Sequence, residues 1–317
     1  MLFWLAGVLA GLGNPFQTGM NLRLRQKFGS PFVATLISFV GSLLFLLLVL
    51  FASGQTLHYP IARLIANPLW IWTGGVIGVI FLTGNILLLP RIGGVQTVIF
   101  PVFGQIAMSL IIDQYGLFYA PQTPVTALRI LGATLVVVGV LIVSLAKQRR
   151  SETTSTAPAA TPHSFTLWLW RLFAVVAGSL GAMQVAVNGY LGKVVESPIK
   201  SAIVSFMTGI LLLIVICVVL ALVGKLKGPT APSDTRVPLW SWFGGILGAC
   251  FVLVTVILSP RIGTGTTIIC VLMGATLGGV IVDHWGLFGM RRQPINLKKA
   301  IGIVLMIAGA AMSKLLV

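Results

Sequence analysis

Charge is what this sequence has least of. Only 8% of its 317 residues are charged, and the acids number five: Asp113, Glu152, Glu196, Asp234 and Asp283. A water-soluble domain is closer to a quarter charged, so a chain that is 57% hydrophobic takes lipid as its main solvent. Cysteine is also scarce. Cys217, Cys250 and Cys270 stand far apart inside apolar runs, which excludes a disulfide framework or paired-cysteine metal motif and leaves them as packing residues. His58, His163 and His284 are scattered, with no HExxH, GxSxG or Walker A pattern. Enzyme chemistry, a bound metal, a cofactor and ATP hydrolysis by this chain all go unsupported.

What is abundant is apolar length. Runs of about 20 residues recur, each enough to cross roughly 30 Å of hydrocarbon as a helix. They are continuous rather than alternating, which excludes a barrel. The pattern predicts an all-α integral membrane protein of ten transmembrane helices. Segments 1 to 5 fall at about 2–22, 31–53, 69–89, 94–112 and 127–146. Segments 6 to 10 fall at about 167–190, 199–223, 240–259, 264–282 and 299–316. No basic stretch precedes the first run, so it is expected to stay as a span rather than be cleaved as a signal peptide.

The second abundance is repetition. Gln17, Asn21, Leu24, Ser30, Pro31, Ser38 and Phe39 return 167 positions later as Gln184, Asn188, Leu191, Ser197, Pro198, Ser205 and Phe206. Further on the offset is 170. Pro90-Arg91-Ile92-Gly93 returns as Pro260-Arg261-Ile262-Gly263, and Asp113 with Gly116-Leu117-Phe118 as Asp283 with Gly286-Leu287-Phe288. The chain therefore divides into a first five-helix repeat at 1–147, a linker rich in Ser, Thr, Ala and Pro at 148–165, and a second five-helix repeat at 166–317. Five is odd, so consecutive copies point in opposite directions. Such an inverted repeat is the architecture of many secondary transporters.

The net charge of +16 is spread between the apolar runs and follows the positive-inside bias; no nucleic acid is expected as a partner. One side receives Arg23, Arg25, Lys27, Arg91, Lys147, Lys225 and Lys299 among others, and the opposite side only Arg63, Arg129, Lys193, Lys200, Arg261 and Lys314. The richer side is expected to be cytoplasmic, with both termini outside. The expected partners are the lipid bilayer and a small-molecule substrate, with a homodimer left open.

Polar residues inside the runs are few, and an amide in lipid is costly unless satisfied. Segments 1, 3 and 4 carry Asn14, Gln17, Asn21, Asn85, Gln96, Thr97 and Gln105. Segments 6, 8 and 9 carry Gln184, Asn188, Thr255, Thr266 and Thr267. As a set they are expected to line a central cavity, with the nearly pure apolar segments 2, 5, 7 and 10 forming a lipid-facing rim; interhelical hydrogen bonding alone is the alternative. The Gln/Asn pairs are expected at opposite mouths. Gly74/Gly78, Gly244/Gly248 and Gly274/Gly278 have the spacing of close helix packing, and Pro15 and Pro101 should kink their helices. No acid falls in the middle of a run, so no proton-exchanging carboxylate is in view and the substrate is expected to be neutral, zwitterionic or anionic. Arg91 with Asp283, and Arg261 with Asp113, are candidate pairs that clamp the two repeats; the alternative is that each charge anchors its own helix.

The Gln-xxx-Asn-xx-Leu, Ser-Pro and Ser-Phe series with the Pro-Arg-Ile-Gly turn resembles the drug/metabolite transporter superfamily, in its YdcZ-type branch of inner-membrane exporters. This chain looks like a fused pair of that branch's five-helix units. The resemblance implies a bacterial inner-membrane transporter that exports small metabolites or drugs, with Gln17, Asn21, Gln184 and Asn188 as the amides carried over. A channel-like facilitator and a non-transporting membrane scaffold are the other readings.

Overall fold

The computed structural model describes residues 2–148, 164–226, 237–289 and 292–314. Its longer elements are α1 (Leu2–Phe28), α2 (Pro31–Ala52), α4 (Gly74–Tyr115), α5 (Ala127–Gln148), α6 (Ser164–Val194), α7 (Pro198–Leu222), α8 (Gly244–Ile262), α9 (Thr264–Trp285) and α10 (Leu297–Lys314). A short helix, α3 (Ile61–Ile65), was not expected. There are no strands among the described residues. Among the described residues, seven stretches are long and apolar enough to cross a membrane: 31–52, 96–115, 127–146, 165–194, 198–222, 239–262 and 264–285. The chain is thus an all-α membrane protein. The expected linker at 148–165 lies almost wholly outside the described residues.

Local chemistry explains the boundaries. The two Ser-Pro pairs start α2 and α7, with Pro at the first helical position, where its missing N–H costs nothing. Segments 3 and 4 run on as one helix, α4, broken only at Gly93. Gly93 (φ 76°, ψ 167°) and its twin Gly263 (φ 82°, ψ 157°) take a conformation that a side chain resists. Each Pro-Arg-Ile-Gly therefore joins two helices through a single residue. The expected segment 1 ends at 22, but α1 continues to Phe28. Segment 4 was expected to end at 112, and α4 continues to Tyr115.

Packing exchanges elements between the halves. α1 lies on α8 and α9, and α6 lies on α4. α2 meets α7, with Phe39 edge-on to Phe206 at 5.0 Å, in a cluster that includes Leu46, Leu50, Ala202 and Leu213. α5 meets α10, where Gly139 lies on Gly302 and Gly309 on Gly132. A second cluster joins Ile106, Ile112, Val136, Val185, Ile268 and Met306 from α4, α5, α6, α9 and α10. The outer faces of α2 and α7 expose Leu44, Leu48, Leu211 and Leu222, while their inner faces are not purely apolar. They bury Ser38, Ser42, Ser201 and Ser205, a polar contribution absent from the sequence census.

Candidate functional site

The amide pairs sit on glycines of the opposite half. Gln17 lies against Gly248 and Asn21 against Gly244; reciprocally, Gln184 lies against Gly78 and Asn188 against Gly74. Residues four apart on one helix meet residues four apart on its neighbour, so each Gln-xxx-Asn occupies a Gly-xxx-Gly; a methyl group on Gly74, Gly78 or Gly248 would overlap the amide, and one on Gly244 would press on it. Gly74/Gly78 and Gly244/Gly248 thus seat side chains rather than bare backbone. Close backbone approach is served by others: Gly75 on the carbonyl of Ser205, Gly245 on that of Ser38, Gly274 on Val8 and Gly278 on Leu12.

The two seats lie at opposite ends of α9. Gly189 packs on Ser259, whose Oγ is 3.1 Å from Thr264 Oγ1 at the start of α9. Gly19 packs on Phe288, just past the end of α9. At the first end, Asn188 is 2% exposed. Its Nδ2 donates to Ser205 Oγ at 3.1 Å, and its carbonyl accepts from Ser201 Oγ at 2.7 Å. At the other end Asn21 is half-buried, and Ser38, the twin of Ser205, has no partner for its Oγ among the described residues. Both Asn Oδ1 atoms also lack a hydrogen bond there; each faces a glycine Cα instead.

The remaining candidates do not join these seats. Gln105 points Nε2 at Gly181. Gln96 Oε1 accepts from Arg171 Nε at 3.0 Å. Asn14 is half-buried, with Thr18 Oγ1 bonded to its carbonyl at 2.9 Å. Thr255 Oγ1 donates to Val252 O in its own helix at 2.9 Å, and Thr267 to Gly263 O at 2.7 Å. Thr266 is fully buried, with Oγ1 unpartnered among the described residues. The Asn85 side chain lies outside the described residues.

The charged candidates are rearranged. Asp113 does not pair with Arg261. It is 0% exposed, accepts from Arg129 Nη2 at 2.7 Å, and takes Thr264 N at 2.8 Å and Gly265 N at 3.0 Å. It therefore ties the end of α4 to the first N–H groups of α9, where a carboxylate is favoured. Arg261 turns back to Ile257 O at 2.7 Å and lies over the Phe3 ring. Arg91 stacks on Trp170. Buried acids are therefore present after all, at Asp113 and at Asp283, which is 6% exposed. Asp113 lies in the last turn of α4, which runs on past 112, and is buried there against the start of α9.

Arg129 and its twin Lys299 read in sequence as loop charges, yet they are 3% and 2% exposed. The scaffold around them is duplicated. Thr123 N bonds Asp113 O at 2.8 Å, and Gln293 N bonds Asp283 O at 2.6 Å. Arg129 Nη1 reaches Thr123 O at 2.9 Å, and Lys299 Nζ reaches Gln293 O at 3.4 Å. The available signal was the Asp-to-base spacing, which is the same in both halves. Among the described residues no three His, Cys, Asp or Glu side chains converge as metal ligands.

A family model described as "Putative inner membrane exporter, YdcZ" matches residues 2–142 and 169–312. A solved protein crystal structure aligns with a TM-score of 0.67 over 99% of this chain and 96% of that chain, at 15% identity; that likeness is one of fold alone. No functionally curated sequence matches.

Proposed function

The chain belongs to the YdcZ inner membrane exporter family, and on that premise we propose that it is a secondary transporter that exports a small metabolite or drug by alternating access. In this reading the ten helical segments all span, as two five-helix repeats of opposite orientation, with both termini outside and the seat of Asn21 towards the cytoplasm. The observation that carries it is the reciprocal seating of Gln-xxx-Asn on Gly-xxx-Gly across the halves, once at each end of α9. Opening either end to solvent must lift an amide pair off the glycines of the other half, so each seat is placed to act as a gate. The Asp113 contacts to Thr264 and Gly265 join the halves at the outer end of this arrangement.

The test is transport in proteoliposomes of the purified chain, with a ligand chosen by its effect on unfolding temperature across a metabolite panel. Saturable uptake with counterflow is the expected result. Flux that rises linearly with concentration and shows no counterflow would make the protein a channel-like facilitator and remove the alternating-access reading. Absence of flux for every stabilising ligand would leave a membrane scaffold.

A further inference from the structure

Arg171 is a cation near the start of an apolar, membrane-length stretch, and among the described residues no anion pairs with it. It lies in the apolar stretch 165–194, and Gln96 opens the stretch 96–115. Its guanidinium is held on three sides. Nε donates to Gln96 Oε1 at 3.0 Å, and Cζ stands 5.9 Å from the Phe100 ring centre and 5.6 Å from that of Trp168. One hydrogen bond and two aromatic faces fix the plane of the group. Among the described residues no acceptor reaches Nη1 or Nη2, and no carboxylate pairs with this arginine. Arg91 adds a second cation to the same end of the bundle, 5.2 Å from the Trp170 ring centre.

The other half shows that the architecture does not require this group. The positions equivalent to Arg171, Gln96 and Phe100 are Trp4, Thr266 and Cys270. Trp4 packs against a buried apolar cluster, and Thr266 and Cys270 are fully buried. One copy of the fold closes this position with an indole, whereas the other holds a half-buried guanidinium whose two terminal nitrogens have no protein acceptor among the described residues. An arginine oriented by its neighbours near the end of a membrane span is placed to meet an anion from outside the chain, and a planar fork with two N–H-bearing nitrogens matches the two oxygens of a carboxylate or phosphate.

We propose that Arg171, oriented by Gln96, Phe100 and Trp168, is a recognition site for a carboxylate or phosphate group. Either a soluble anionic ligand or the phosphate of a phospholipid headgroup offers that chemistry. The site binds whether or not the chain alternates access, so it does not stand or fall with the transport reading.

The test is saturable binding to the full-length chain, delipidated in a maltoside detergent and followed by its unfolding temperature. The probes are acetate, inorganic phosphate and a short-chain phosphatidylglycerol, each against chloride at matched ionic strength. The expected result is a saturable rise with at least one probe that Arg171→Gln abolishes and Arg261→Gln leaves intact. A response to acetate or phosphate identifies a site for soluble anions, and one confined to phosphatidylglycerol identifies a headgroup site. If Arg171→Gln fails to fold, Arg171→Lys decides. It keeps the charge and loses the fork, and should weaken binding about tenfold, the worth of one good charged hydrogen bond. No saturable response beyond chloride, an unchanged response in Arg171→Gln, or unchanged affinity in Arg171→Lys overturns the proposal.

Discussion

The two ends of α9 share a backbone plan and differ in how they are fastened. At the end near Thr264, Asn188 is bonded to Ser205, and a ring cluster joins the halves through Tyr190. Trp70 stands 5.3 Å from Phe118 and 5.5 Å from Tyr190, and Tyr119 lies 4.7 Å from Tyr190. Polar links also cross between the halves there: Tyr190 to Asn67 at 2.7 Å, Ser197 to Gln55 at 2.7 Å, Lys200 to His58 O at 2.7 Å, and the exposed pair Arg63–Glu196. At the end near Trp285, the positions of Tyr119 and Tyr190 are held by Gly289 and Arg23, which lie against each other. The ring cluster there is Phe16, Trp240 and Phe288. The difference teaches that the repeat fixes where the halves meet, while the residues on that repeat decide how tightly each end is held.

The comparison can be broken most sharply at the buried charge. Arg129→Ala leaves Asp113 in the interior without its cation and should cost about 3–5 kcal/mol of stability, read as a fall in denaturation midpoint in detergent. If Arg129→Ala costs no more than Arg261→Ala, where the exposed side chain only turns back on Ile257 O, the Asp113 junction is not a fastening. Overpacking the seats comes next. Gly74→Val should cost about 1–3 kcal/mol and Gly244→Val less, because half-buried Asn21 can move aside where Asn188 cannot; equal costs would erase the difference between the ends. In transport, Gln17→Leu and Gln184→Leu should each slow exchange about tenfold, equivalent to about 1.4 kcal/mol. Unchanged rates in both would remove the gating role of the seats. The smallest effect is Asn188→Ala against Asn21→Ala, where loss of the bond to Ser205 should make the first worse by about 1 kcal/mol. The same cost for both in thermal unfolding would mean that the bond adds nothing.

Much of the fold was legible because apolar length and a constant offset survive in any one sequence. Both Ser-Pro helix starts and both Pro-Arg-Ile-Gly junctions could be placed from residue type alone. The seats were legible by halves. Gln17 and Asn21 announce themselves as amides in an apolar run, and Gly244 and Gly248 as a packing pattern. Nothing local says that one receives the other, more than two hundred residues away. Arg129 and Lys299 were misplaced for a different reason. A cation at the start of a helix after a polar loop reads as solvated, and only the buried carboxylate sixteen residues earlier changes that. Asp113 itself was misjudged by three residues of helix length.

The glycine seats also bear on inheritance. A methyl group at Gly78 has nowhere to go while Gln184 fills the space, and a smaller residue at 184 leaves a hole while position 78 stays bare. Neither position can drift by itself. Across descendants of this chain, 74 with 188, 78 with 184, 244 with 21 and 248 with 17 should therefore change as couples. Such couples would tie the histories of the two halves together, so that neither half could be exchanged for a foreign copy without its matching partner.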